Sequence, residues 1–376
     1  MATEPRRLEL SPYLRREPVT LAVLTLLAVI FFSAVTGLSR VYHAQQQSLA
    51  ERWAARGVSD LNAQHFAPAI VDFRTALLYD RDNGAYQLSL AQALMGSNRF
   101  DEAQAYLVNL WDREPDNGLV SLELARIAAR DKQTNQALRF YHNAIYATWP
   151  DNPDEARRKA RLELIHYLLG IGADNQAEAE LIDLAATVGD NAARQTQLGQ
   201  LFLQVGDDQR ALTAFRLSLS LDRHDQAAMA GAGEAAFDSE MYPVARRYLA
   251  EAVAASPSDA ASAERLKLTQ LVLTGDPFQR QIPDLQRDRI VMEAFATAGA
   301  RLKTCATPPA TIQTLQQSWS SLNPQIDLRD LRRNPDLVNT AMNLVFQIEQ
   351  KTQNTCAKPS DADQALLLIA NLHEES

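Results

Sequence analysis

Glycine, cysteine and lysine are all scarce in this chain. Among 376 residues there are 14 Gly and 2 Cys, and only 6 of the 37 basic residues are Lys, leaving 31 Arg. With glycine rare and Ala, Leu and Gln abundant, helix formers fill the chain and an all-α protein is expected. The Arg excess fits a GC-rich bacterial genome. Two cysteines with no CxxC spacing exclude the usual zinc sites, and His373 is the only histidine after residue 224. A net charge of -9 excludes a broad nucleic-acid surface. There is no phosphate loop, no HExxH and no GxSxG. Gly231-Ala232-Gly233-Glu234-Ala235-Ala236 fits G-x-G-x-x-A on paper, but it lies in a helical pattern with no preceding strand, so it is not a nucleotide site. The histidines are scattered and the carboxylates fall at turn and outer positions. No catalytic residue, cofactor or metal is expected.

What is abundant is apolar surface: 46% of residues are hydrophobic, enough to bury a large core. Part of it is concentrated near the N-terminus. No charge occurs between Glu17 and Arg40, and the run Val19 to Leu38 is almost wholly apolar. Roughly 20 such residues span the ~30 Å hydrocarbon layer. A core helix of this length would normally carry a polar face. A cleaved signal peptide has a shorter apolar region and ends at a small-x-small site, for which Val35-Thr36-Gly37 is a poor candidate. The expectation is a tail over 1–18 and an uncleaved transmembrane helix over 19–39. Arg6, Arg7, Arg15 and Arg16 precede the span, while Arg40, Arg52 and Arg56 follow it. That bias places the N-terminus in the cytoplasm of a single-pass protein of the inner membrane, with the body in the periplasm or another extracytoplasmic space.

Beyond the span the chain repeats itself. An Ala followed four residues later by a large apolar residue recurs as Ala69/Phe73, Ala103/Leu107, Ala137/Tyr141, Ala177/Leu181, Ala211/Phe215 and Ala245/Leu249. Successive Ala positions are 34, 34, 40, 34 and 34 apart. Twelve residues before each Ala sits a Gly or Ala (Gly57, Ala91, Ala125, Gly199, Gly233), with Ile165 the exception. Pro115 and Pro257 stand twelve residues after two of them. Turn signals occur at Gly96-Ser97-Asn98, Gly172-Ala173-Asp174-Asn175 and Gly206-Asp207-Asp208. The pattern resembles the tetratricopeptide repeat (TPR), whose period is 34 residues. The resemblance implies antiparallel helix pairs, A and B, stacked into an α-solenoid. Small residues let A and B approach, and the large apolar residue fills the space between them. Six repeats are expected over 50–259: 50–83, 84–117, 118–151, 158–191, 192–225 and 226–259. The extra residues of the 40-residue interval fall near Trp149 to Asp154, as a loop insertion or as a bend between two blocks of three repeats.

After Pro257 the period is lost. Residues 260–376 read as a capping helix and a C-terminal helical region, with helices expected at 259–274, 283–304, 309–321, 326–352 (broken near Pro335) and 361–373. Cys305 and Cys356 each follow a helix and precede a proline-containing turn. Outside the cytoplasm they would form a disulfide, worth about 4 kcal/mol for a loop of this length. Inside it they would be two unrelated thiols.

The resemblance also implies a partner site. In TPR proteins the A helices line a concave groove that takes a protein or peptide partner. Carried over by repeat position, the lining is Leu88, Gln92, Met95, Leu122, Arg126, Arg130, Leu162, His166, Gln200, Gln204, Glu234 and Asp238, with Val58, Leu61 and Thr196 beside them. Arg126 and Arg130, four apart, would grip a carboxylate. Glu234 and Asp238 would form an opposite patch. The Lys and Asn residues of chaperone-binding carboxylate clamps are absent. The expected role is a membrane-tethered scaffold or assembly factor. Alternatives are a stable accessory subunit of a membrane complex, in which Ser33 and Gly37 would help pack the span, and an enzyme or ligand-binding protein using the C-terminal region.

Overall fold

The computed structural model describes residues 12–305 and 309–374. Residues 1–11 of the expected tail, with Arg6 and Arg7, lie outside the described residues, as does Pro308. Among the described residues there is no strand beyond one isolated bridge. The chain divides into two compact units, Met1–Tyr167 and Leu168–Ser376.

The first unit opens on α1 (Pro12–Asn62), a helix of 51 residues and about 75 Å. The apolar run and the first A helix, expected as separate segments, are therefore one element. No Gly or Pro interrupts Ser39 to Trp53, so nothing breaks the hydrogen-bond ladder there. The apolar stretch is long enough to cross a membrane or to act as a signal sequence, and none of it is buried. Leu21, Phe31, Phe32 and Leu38 are all exposed, which rules out a core helix. Burial begins only at Ala50 and Ala54, where α2 (Phe66–Tyr79) packs against α1. The unit continues with α3 (Gly84–Gly96), α4 (Phe100–Arg113), α5 (Gly118–Arg130), α6 (Thr134–Tyr146) and most of α7 (Pro153–Gly170).

The repeat signature is a core signature. All twelve members of the Ala/large-apolar pairs are buried. Two further features recur with the same phase. Each A-to-B turn has one residue with positive φ: Gln64, Asn98, Lys132, Gly172, Gly206 and Glu240. At each, the next backbone N–H reaches back across the turn, as in Arg99 N to Leu94 O at 2.9 Å and Gln133 N to Ala128 O at 2.9 Å. This is the Schellman closure, which satisfies a carbonyl the helix end would otherwise leave open. Only two of the six positions are glycine, so hydrogen bonding holds the other four in a left-handed conformation that costs an ordinary residue energy. The second feature is the cap that opens the A helices. Asn83, Asn117, Asn191, Asp225 and Asp259 accept from backbone N–H groups of the first turn.

The missing member of that series would stand at Arg157, where the interval is 40. Here the extra residues lengthen α7, which starts at Pro153, so only part of the insertion is loop. The rest is pinned. Thr148 N donates to Asp116 O at 3.0 Å and Gly118 N to Thr148 O at 3.2 Å. The Trp149 ring lies so close to Gly118 that a Cβ there would be 2.3 Å away, and its Nε1 donates to Ala144 O at 2.9 Å.

The second unit holds α8 (Asp174–Ala185), α9 (Ala192–Gln204), α10 (Asp208–Leu221), α11 (Gln226–Asp238) and α12 (Tyr242–Ala255), then α13 (Ala260–Gly275). Beyond them lie α14 (Asp284–Leu302), α15 (Ala310–Leu322), α16 (Leu328–Arg333), α17 (Pro335–Thr352) and α18 (Asp361–Glu374). The break near Pro335 falls at Asn334, which caps α17. The C-terminal helices are not a separate body. Tyr242 of the last repeat and Val272 of α13 share one core with Val291, Phe295, Met342, Val345 and Ile369. Cys305 and Cys356 are joined in a disulfide, Cα to Cα 4.6 Å. One turn before Cys305, buried Arg301 donates to Thr352 O at 2.9 Å, Thr352 Oγ1 at 3.2 Å and Ala357 O at 2.5 Å. Bond and guanidinium together tie the end of α14 to the turn after α17.

Candidate partner-binding surfaces

In the first unit the polar groups of the A-helix face are joined to one another. Gln92 on α3 donates to Glu123 Oε1 on α5 at 2.9 Å. Arg126 lies 3.1 Å from Glu123 Oε2. It then reaches Glu163 on α7 with two bonds, Nε to Oε2 at 2.9 Å and an NH2 contact of 2.5 Å. The bidentate bond to Glu163 outweighs the cost of burial and raises the Arg126 pKa. Arg130 is also engaged: it pairs with Asp131 at 2.8 Å and its guanidinium stacks 3.7 Å over the Phe100 ring. Arg126 and Arg130, expected to grip a partner carboxylate together, thus both already have partners within this unit. Leu122, expected in the lining, is 5% exposed and belongs to the core. Val58 and His166 remain exposed, and Leu61, Leu88, Met95 and Leu162 are half-buried. Behind this face, burial pushes Tyr141 up to about 12, helped by Glu163.

The second unit shows the same linkage and one gap in it. Glu234 on α11, expected to form an acidic patch with Asp238, accepts from Arg265 on α13 at 2.5 Å. Thr196 is buried and donates to Asp225 Oδ2 at 2.5 Å. Burial works against the Asp225 carboxylate, but bonds from Thr196, Ala228 N and Ser218 hold its pKa below the ordinary range. Gln200, Gln204 and Asp238 are exposed. Partial desolvation of its carboxyl still raises the Asp238 pKa, against the opposing charge of Arg265. Asp208 is raised too, by burial first and then by Asp238, Asp207 and Glu234. An open polar cleft of about 490 Å³ lies beside it, lined by Glu178, Asp207, Asp208, Gln209, Arg210 and Ser239.

The links follow a rule that single-residue reading misses. Gln92–Glu123 and Glu234–Arg265 join the ninth residue of one A helix to the sixth of the next A helix or of α13, and Arg126, ninth in α5, reaches Glu163, which is sixth by repeat phase and eleventh in the lengthened α7. The signal was legible only as a separation three residues short of the repeat interval. At Gln200 the matching position is Gly231, which has no side chain to offer. Glycine is required there because a Cβ would lie 2.3 Å from the Phe215 ring. Among the described residues no group of three or more His, Cys, Asp or Glu side chains is placed to hold a metal ion.

A family model described as tetratricopeptide repeat matches residues 61–127 and 94–148, and a second of the same description matches 196–260. Among solved structures, the chain is similar to YrrB, described as a TPR protein with an unusual peptide-binding site: 15% identity, TM-score 0.40, covering 51% of this chain and 95% of that one. It is similar to pilF of Pseudomonas aeruginosa at 14% identity and TM-score 0.42, covering 58% and 97%. It also resembles the C-terminal part of a TPR repeat-containing protein from Cytophaga hutchinsonii at 12% identity and TM-score 0.46, covering 64% and 94%. No curated protein matches the sequence.

Proposed function

We propose that this chain, whose repeats match tetratricopeptide models over 61–148 and 196–260, is a membrane-tethered scaffold that holds a partner protein against the A-helix faces of its repeats. The observation that carries this reading is α1, in which an exposed apolar run and the first A helix of the array form one unbroken helix. A partner held on the repeats is then held at a set distance from the bilayer. The side chains left to meet it are apolar in the first unit (Leu88, Met95, Leu162, with His166) and amide or acidic in the second (Gln200, Gln204, Asp238). The disulfide supports a body outside the cytoplasm, where such bonds persist.

Photo-crosslinkers at Leu88, Met95 and Gln200 test the surface. One partner captured there, and not from the exposed B-helix residues Val71 and Leu217, is the expected result. Equal capture from both faces would sink the assignment. Alkaline extraction tests the tether, since a spanning helix stays with the membrane and a cleaved leader leaves the body soluble. A reporter fused after Ser376 that is active only in the cytoplasm would overturn the topology.

A further inference from the structure

Glu349 lies on α17, one turn before Thr352, and is 2% exposed. Its Oε1 is buried and accepts no hydrogen bond. Arg301 on α14 opposes a rise through its charge, but the hydrogen bonds it makes go to Thr352 and Ala357. Across the interface stands Asp363 on α18, itself 7% exposed. At the start of its helix, Asp363 accepts at Oδ2 from Ser360 N and Ser360 Oγ, both at 2.8 Å. The other helices packed on α17 do not help. α15 has no ionisable side chain. The charges of α16 sit at the opposite end of α17, roughly 20 Å away at 1.5 Å per residue, where Arg332 faces Asp288. A carboxylate at Glu349 would thus be a buried charge beside another of the same sign.

We propose that α18 is a pH-gated latch, seated most firmly against α17 while Glu349 holds its proton. Burial, followed by the Asp363 charge, moves Glu349 up to about 8, so it is protonated at neutral pH. When α18 lifts, Glu349 meets water and returns to the ordinary value near 4.3. The open form therefore releases a proton that the closed form keeps, and opening grows easier as pH rises between those two values. The movement is local, because the disulfide holds the chain at Cys356, just ahead of the Pro359 turn. Lifting α18 withdraws Ala365, Leu366, Ile369 and Ala370 from the core. It also opens a notch of about 180 Å³ that α13, α14 and α18 now enclose together, lined by Leu271, Ile290, Ala294 and Leu366, so apolar surface is exposed.

His373, near the far end of α18, lies 3.0 Å from Asp276, and the test must separate that contact from Glu349. Hydrogen–deuterium exchange of the full-length protein in detergent micelles, corrected for intrinsic rates, reads the opening of α18 from pH 5 to 9. The expected result is an opening constant that rises about tenfold per pH unit up to pH 8 and then levels. In Glu349→Gln the profile is flat and α18 is better protected than wild type at pH 9. In His373→Gln the slope persists. Binding of an apolar dye by the wild type rises over the same range. A flat wild-type profile overturns the proposal whether or not the variants fold, and so does a slope that survives Glu349→Gln but vanishes in His373→Gln.

Discussion

Replacing Gly231 by Ala sets two effects of opposite sign against each other. In the interior of a helix, Ala is favoured over Gly by about 1 kcal/mol. Gly231, however, lies against the Phe215 ring. A Cβ built there would be 2.3 Å from Cζ, 2.6 Å from Cε2 and 2.7 Å from Cε1, where carbon contacts settle near 3.5–4.0 Å. The ring must retreat by about 1 Å or more, and it cannot do so easily. Phe215 is fully buried, and a Cβ at Gly199 would likewise lie 2.7 Å from it. Overpacking of this kind costs about 1–3 kcal/mol, which exceeds the propensity gain. Gly231→Ala should therefore destabilise the protein by up to about 2 kcal/mol and lower the urea midpoint by up to roughly 1 M. Gly170→Ala is the matched control. No atom lies within 4 Å of a Cβ there, so the change should be neutral or stabilising by up to about 1 kcal/mol. Urea unfolding of the three full-length proteins by circular dichroism decides the matter. Equal midpoints for Gly231→Ala and Gly170→Ala would refute the packing argument. Phe215→Leu should relieve part of the Gly231→Ala cost, a non-additivity expected only if the two side chains touch.

Arg126→Gln should cost about 1 kcal/mol or less in urea melts, because the Arg126–Glu163 pair is more than one-third exposed and solvent screens it. It should leave partner capture at Leu88 intact, whereas loss of capture would restore Arg126 as a contact residue. Asp225→Ala removes both the cap of α11 and the acceptor for Thr196 and Ser218, and should cost about 2 kcal/mol at pH 7. Since the folded pKa of Asp225 is depressed, its contribution is present above the ordinary carboxylate value and is lost as pH falls through the folded one. The wild-type advantage over Asp225→Ala should therefore shrink below about pH 4, and a gap that is constant down to pH 2 would contradict the reading. Reduction of Cys305–Cys356, which closes a loop spanning 51 residues, should lower stability by up to about 4 kcal/mol. Urea melts with and without reductant measure it, with the native fold retained because Arg301 still bridges the same two segments.

Much of this molecule follows from local sequence chemistry. A period of 34 residues, Ala paired with a large apolar residue one turn later, and small residues where helices cross are sufficient to specify antiparallel helix pairs, since each pattern encodes a face that must be buried. The exposed apolar run, the helices after residue 259 and their break near Pro335 are legible for the same reason: helix periodicity and proline act over a few residues. Four of the six left-handed turn positions are not, because Gln64, Asn98, Lys132 and Glu240 are held there by hydrogen bonds and carry no glycine to announce them.

What tertiary structure alone decided is which polar groups are free. Arg126, Arg130 and Glu234 look available along one helix, yet partners on neighbouring elements engage them. Leu122 occupies a lining position by count and a core position in fact. Whether the apolar run continues into the array depended on an absence of breakers over fifteen residues. The single core shared by the last repeat and the C-terminal helices joins residues as far apart as Tyr242 and Ile369, and it also buries Glu349 beside Asp363. Burial and electrostatic pairing are properties of surfaces brought together from distant segments, so a chain read in order specifies its helices but not which of its charges remain free to meet a partner.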